Sequence, residues 1–172
     1  MYDTVYKAAS DHVIRLFEEM AQPNLTYHNL QHTKNVVERA QEIAAQYELG
    51  DDDTLALYVA AWFHDTGHLF TEQMGHQQQS IELMRQFMQD QGVGLDIINK
   101  CEGCITATEM PQRPVHLIEE IICDADTFHF GTKEFIDTNK AVKKEYELRG
   151  YLHFIQDWTA NTIALLERHT YF

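Results

Sequence analysis

Residues 54–63 read TLALYVAAWF and are apolar on almost every side of a helix. A helix with no polar face belongs at the centre of its domain. This one runs directly into His64 and Asp65, with Gly67 close behind. The chain therefore carries an imidazole and a carboxylate into the buried end of its central helix. Either group is expensive there without a partner. Neighbours on a helix diverge by about 100°, so both can reach one point only from a helix end or a distorted turn. Gly67 makes such a turn accessible.

The remaining elements also read as helices. Residues 3–21 place Val5, Ala9, Val13, Leu16, Phe17 and Met20 on one stripe. Pro23 and Asn24 break it. A second helix is expected from His28 or Leu30 to Leu49. Its apolar face is Val36, Val37, Ala40, Ile43, Ala44 and Tyr47, and Gly50 caps its end. Asp51, Asp52 and Asp53 give the N-cap signal for the central helix, expected over 54–64. A loop, HLFTEQM, lies between Gly67 and Gly75. Further helices are expected over 76–91, 95–109, 115–125, 133–149 and 152–169, separated by glycines and prolines. The last is expected to carry Phe154, Ile155, Trp158, Ile163, Leu165 and Leu166. No strand-type alternation persists, and no repeat or long linker divides the chain. The expectation is one all-α domain over 1–172, a compact bundle of seven to eight helices.

Composition excludes several functions. The formal net charge of −14 lacks the basic footprint of a nucleic-acid groove binder. It still allows a small phosphate ester, because one cation with one or two basic side chains makes a local positive well. No apolar run approaches the ~20 residues of a membrane span. The amphipathic, acid-bearing N-terminus is neither a secretory signal nor a transit peptide. Three cysteines fit a reducing cytoplasm better than a disulfide framework.

Three strings carry the chemistry: YHNLQHTKNVV, AAWFHDTG and IICDADTFHFG. Each presents His or Asp at the edge of an apolar run. Imidazole and carboxylate together suit a divalent cation of intermediate softness, shared between helices inside a bundle. Asp124 and Asp126 compete for one ligand position, since residues two apart diverge on a helix. His28 and His32 are four apart and would share a helix face, a spacing that could by itself chelate a metal.

The ordered set Tyr27-His28-Asn29, Ala61-Trp62-Phe63-His64-Asp65, His76, Asp124-Ala125-Asp126 and Gly131 resembles the HD superfamily of metal-dependent phosphohydrolases. It is similar in particular to a group of small bacterial predicted HD-domain phosphohydrolases. The resemblance spans most of the chain. It implies an HD-domain helical bundle around an internal metal, with His32, His64, Asp65 and Asp126 as ligands. Asp124 then becomes a supporting hydrogen bonder. The implied reaction is hydrolysis of a small phosphomonoester or nucleotide by a metal-activated water. Asp65 and His68 are the expected catalytic residues, and His28, Lys34 and His76 the expected substrate contacts. Gln77 stands where relatives carry an acid.

One divalent ion is expected, with Mn, Fe, Zn, Ni, Co and Mg indistinguishable from sequence. The segment ITATEMPQRP offers no further histidine for a second ion, which makes two the lesser expectation. Arg113 reads as a solvated cation. Cys101-x-x-Cys104 lacks a second pair for zinc and reads as packing. GVG at 92–94 lacks the residues of a phosphate loop. The alternatives are a di-iron HD-type oxygenase and a non-catalytic nucleotide- or metal-binding signalling module. The RHTYF terminus suits either a homodimer contact or a chain cut short.

Overall fold

The computed structural model describes residues 2–20, 22–71 and 75–172. Eight α-helices occur among them, and no strand. They are α1 (Tyr2–Glu19), α2 (Leu30–Ala44), α3 (Asp51–Phe63), α4 (His76–Asp90), α5 (Leu95–Ala107), α6 (Leu117–Asp126), α7 (Phe135–Leu148) and α8 (Trp158–Arg168). Short 3-10 turns occupy Thr66–Leu69, Phe128–Gly131 and Leu152–Phe154. Glu72, Gln73 and Met74 of the expected loop lie outside the described residues.

The central position of α3 follows from its composition. Leu55, Ala56, Leu57 and every residue from Val59 to Phe63 are buried, and α1, α2, α4, α5 and α6 all pack against it. Burying a side chain such as Leu57 or Phe63 contributes about 1.5–3 kcal/mol. On α1 the inward stripe is Val5, Ala9, Val13 and Phe17, and on α2 it is Val36, Val37, Ala40 and Ala44.

Several boundaries differ from the sequence expectation. α2 ends at Ala44, which leaves Tyr47 46% exposed beyond its last turn. Gly50 caps the start of α3 rather than the end of α2. Asp51, Asp52 and Asp53 are therefore the first turn of α3, where their charge favours the positive end of the helix dipole. The expected helix over 152–169 splits into the turn Leu152–Phe154 and α8. No residue of α8 is buried, and Phe154 is 68% exposed. The apolar side of α8 faces a cavity instead, which Trp158 and Leu165 help to line.

Two glycines shape the turns beside that cavity. A Cβ on Gly67 would fall 2.0 Å from the carbonyl oxygen of His76, so only glycine lets the turn after α3 meet the start of α4. Gly150 takes φ +75° and turns the chain back after α7.

Candidate metal centre

His32 sits in the first turn of α2. That turn is fixed by Asn29, whose Oδ1 accepts the N–H groups of Gln31 and His32 at 2.9 and 3.2 Å. His64 caps the C-terminus of α3. Asp65 then leaves the helix with φ −107° and ψ 2°. This is the distorted turn the HD pair requires: it lets adjacent side chains converge. Asp126 is the last residue of α6.

The four side chains meet at one point. Nε2 of His32 lies 3.2 Å from Oδ2 of Asp65 and 3.2 Å from Oδ1 of Asp126. Nε2 of His64 lies 3.2 and 3.7 Å from the same two oxygens. These approaches lack hydrogen-bond alignment. Nε2 of both histidines and Oδ2 of Asp65 are buried without a partner. Such orphaned atoms are costly unless something joins them. Ligands each ~2.0–2.2 Å from one cation stand about 3 Å apart when adjacent, so the spacing fits a shared divalent ion. Nδ1 of His64 lies 2.9 Å from the carbonyl of Ala61 and must donate to it. The lone pair is thereby left on Nε2, the tautomer a ligand needs.

The electrostatics agree. Burial opposes charge on His32 and His64, yet the Asp65 and Asp126 carboxylates outweigh it and raise both imidazole pKa values. Burial would raise both carboxyls, but His64, His28 and His32 hold Asp65 well below the usual range, and His32 and His64 hold Asp126 below it as well. The two ionised carboxylates draw positive charge to the centre, and a divalent cation could take the place of the two ring protons.

A second trio shares Asp65. Candidate ligand atoms of His28, Asp65 and His68 lie within 4.8 Å of one another. Nε2 of His76 is 4.0 Å from Oδ1 of Asp65. The imidazoles stack, His28 on His68 at 4.2 Å and His68 on His76 at 3.8 Å. Burial pushes His68 well below the ordinary imidazole value and lowers His76. His28 precedes α2, so its place comes from the loop and not from a shared helix face with His32.

The structure gathers His28, His32, His64, Asp65, His68, His76 and Asp126 in or beside one cavity of about 500 Å³. It does not bring Lys34 there. Lys34 follows His32 by two positions, which turns it to the far side of α2, where it is exposed. Its expected substrate contact is withdrawn on that geometry. Asp124 also points elsewhere, accepting from the N–H of Phe172 at 3.1 Å. Cys101, Cys104 and Cys123 are free and buried, which fits packing.

The lining residues that sequence reasoning missed include His129, Glu145 and Arg149 beside the cluster. His129 lies 3.4 Å from the hydroxyl of Tyr27, and burial lowers its pKa to about 4. Glu145 and Arg149 come from α7 and the residue after it, a charged stretch of the sequence. Their i,i+4 spacing was the only signal, and it marks many surface pairs equally. Arg149 Nη1 donates to Nδ1 of His68 at 3.2 Å, and its Nη2 donates to the carbonyl of Thr71.

Fold and cluster together define an all-helical protein with a buried His/Asp centre suited to a divalent cation. The HD domain family model matches residues 29–131, and the chain belongs to that family. The crystal structure of a predicted HD superfamily hydrolase from an uncultured Thermotogales bacterium has the same fold. Its TM-score is 0.62 at 20% identity, over 90% of this chain and 91% of that one. No curated protein matches the chain.

Proposed function

We propose that this chain is a metal-dependent phosphohydrolase acting on a small phosphomonoester or nucleotide. The observation that carries this reading is the convergence of buried, unpartnered Nε2 atoms of His32 and His64 with Asp65 and Asp126. These four residues would hold the ion. A divalent cation there supplies Lewis acidity toward a phosphoryl oxygen and a water acidic enough to act as nucleophile near neutral pH.

The protein's own groups take the other parts. Asp65 stays ionised and orients the attacking water from the side facing the cavity. Arginine can only donate, so its bond to Nδ1 of His68 leaves the proton of neutral His68 on Nε2. Nε2 is buried without a partner and 3.9 Å from Asp65, so it is placed to donate to a phosphoryl or leaving oxygen. His28, held through Nδ1 by Glu145 beside Asp65 and His68, is placed to hand a proton to the leaving oxygen. His76 closes the stack beside the phosphoryl group.

The second trio around Asp65 is what a di-iron oxygenase would use. The Arg149 contact weighs against that reading. A metal on Nε2 of His68 would put the ring proton on Nδ1, facing an arginine donor.

The test is a panel of phosphomonoesters and nucleotides assayed with Mn, Co, Mg, Zn and Ni in turn. Phosphate release that disappears in His64→Ala is the expected result. No release with any metal would overturn the reading.

A further inference from the structure

The cavity extends well past the metal cluster. Its volume of about 500 Å³ lies within the range of small-molecule sites. Its far half is built by α7, α8 and the turn before α7, most of it beyond the residues matched by the family model. The walls there are aromatic and mutually braced. Tyr146 and Trp158 meet edge to face at 5.5 Å, and Phe130 and Phe135 at 5.9 Å. Rigid aromatic walls receive flat rings by stacking, at little cost in side-chain entropy.

One polar group in this half has its orientation fixed. Nε1 of Trp158 lies 3.2 Å from Oδ1 of Asn139, and the Thr162 hydroxyl lies 3.5 Å from the same oxygen. An indole nitrogen only donates, so the amide oxygen must face it. The Nδ2 group therefore points the other way, and no described residue accepts from it. Nearby, the buried Tyr151 hydroxyl also has no partner. Asn139 is thus a donor whose choice of partner has been made by Trp158.

We infer that this half of the cavity binds a planar, carbonyl-bearing heteroaromatic ring of the substrate, with Asn139 Nδ2 donating to the ring carbonyl. The class that fits is an oxo-purine or oxo-pyrimidine base. A ring with an amino group at the same position would set donor against donor. The inference rests on the phosphohydrolase reading for the phosphate attached to the ring, but ring binding itself does not need it.

The experiment is calorimetric titration of the whole protein with free inosine and free adenosine, which carry no phosphate. Turnover of the two 5′-monophosphates is measured in parallel. Inosine is expected to bind about tenfold or more tightly, the cost of an unmatched hydrogen bond. In Asn139→Asp the exposed oxygen accepts, and the preference should reverse toward adenosine. In Trp158→Phe the amide is free to flip, and the preference should collapse toward unity while stacking remains. Circular dichroism melts verify that both variants fold. Equal binding of the two nucleosides, no binding of either, or an unchanged preference in Asn139→Asp overturns the inference. Preferential binding with no phosphate release from any ester supports the ring site and sinks only the phosphohydrolase reading. Phosphate release with no ring preference does the reverse.

Discussion

Oε1 of Glu145 lies 2.6 Å from Nδ1 of His28, and Oε2 of the same carboxylate accepts the backbone N–H groups of Tyr27 and His28 at 2.8 and 3.0 Å. A histidine ahead of α2 is thus held by a residue 117 positions later, at 2% exposure. Burial alone would raise the Glu145 carboxyl, but His28 and the two amides outweigh it and keep the group ionised. The part of the chain outside the matched family region therefore sets the geometry of a residue in the candidate site.

Glu145→Gln keeps the shape and removes the charge. Turnover should fall by about 10- to 100-fold, the usual cost of losing an orienting partner, with a smaller change in KM. Glu145→Ala leaves two amides and an imidazole unpaired and should also lower stability by about 2–3 kcal/mol. Steady-state kinetics beside a denaturant melt separates the two effects. Unchanged kcat in Glu145→Gln contradicts the role given to His28.

Asp124 and Asp126 should respond oppositely to the same change. Asp126→Asn removes a carboxylate 3.2 Å from His32 and should abolish both metal binding and activity. Asp124→Asn weakens only its contact with the N–H of Phe172 and should cost about 1 kcal/mol of stability. Metal content after dialysis distinguishes them. Loss of metal in Asp124→Asn would show that the wrong aspartate has been assigned.

Acid and metal compete for His32 and His64. Burial disfavours their protonation, but Asp65 and Asp126 raise both pKa values above 6.5. Without metal, the protonated rings stabilise the folded chain fully below pH 6.5, and this contribution is lost as pH rises through the folded-state values. A cation requires the neutral rings. The gain in Tm on adding Mn to chelator-treated protein should therefore be small at pH 6 and larger at pH 8. Differential scanning fluorimetry measures it, and a gain that shrinks with rising pH speaks against these ligands.

Gly67→Ala tests the close approach of the two segments around the HD pair. The added methyl would sit 2.0 Å from the His76 carbonyl oxygen, and backbone cannot yield as a side chain does. A loss of about 3 kcal/mol is expected, at the upper end for overpacking, together with weaker activity as His76 is displaced. A chemical denaturation curve matching the native protein would show that the contact is not tight.

The centre was legible in the sequence because burial and chemistry coincide there. The apolar string before His64 and the glycine after Asp65 each have one structural reading, and each is realised. Lys34 was misread because proximity in sequence does not set direction: two positions along a helix turn a side chain well away from its neighbour. Glu145 and Arg149 left only an i,i+4 spacing common to surface pairs, because their value arises from contacts more than 75 residues away, with His28, His68 and Thr71. α8 shows the same limit. Its apolar residues predict burial, but periodicity cannot distinguish a core from the wall of a cavity.

The most direct measurement is anomalous diffraction from crystals grown with Mn, at a wavelength where the metal scatters. One peak is predicted about 2.0–2.3 Å from Nε2 of His32, Nε2 of His64, Asp65 and Asp126. A peak elsewhere, or one held only by His28, His68 and Asp65, would refute this assignment of the metal centre.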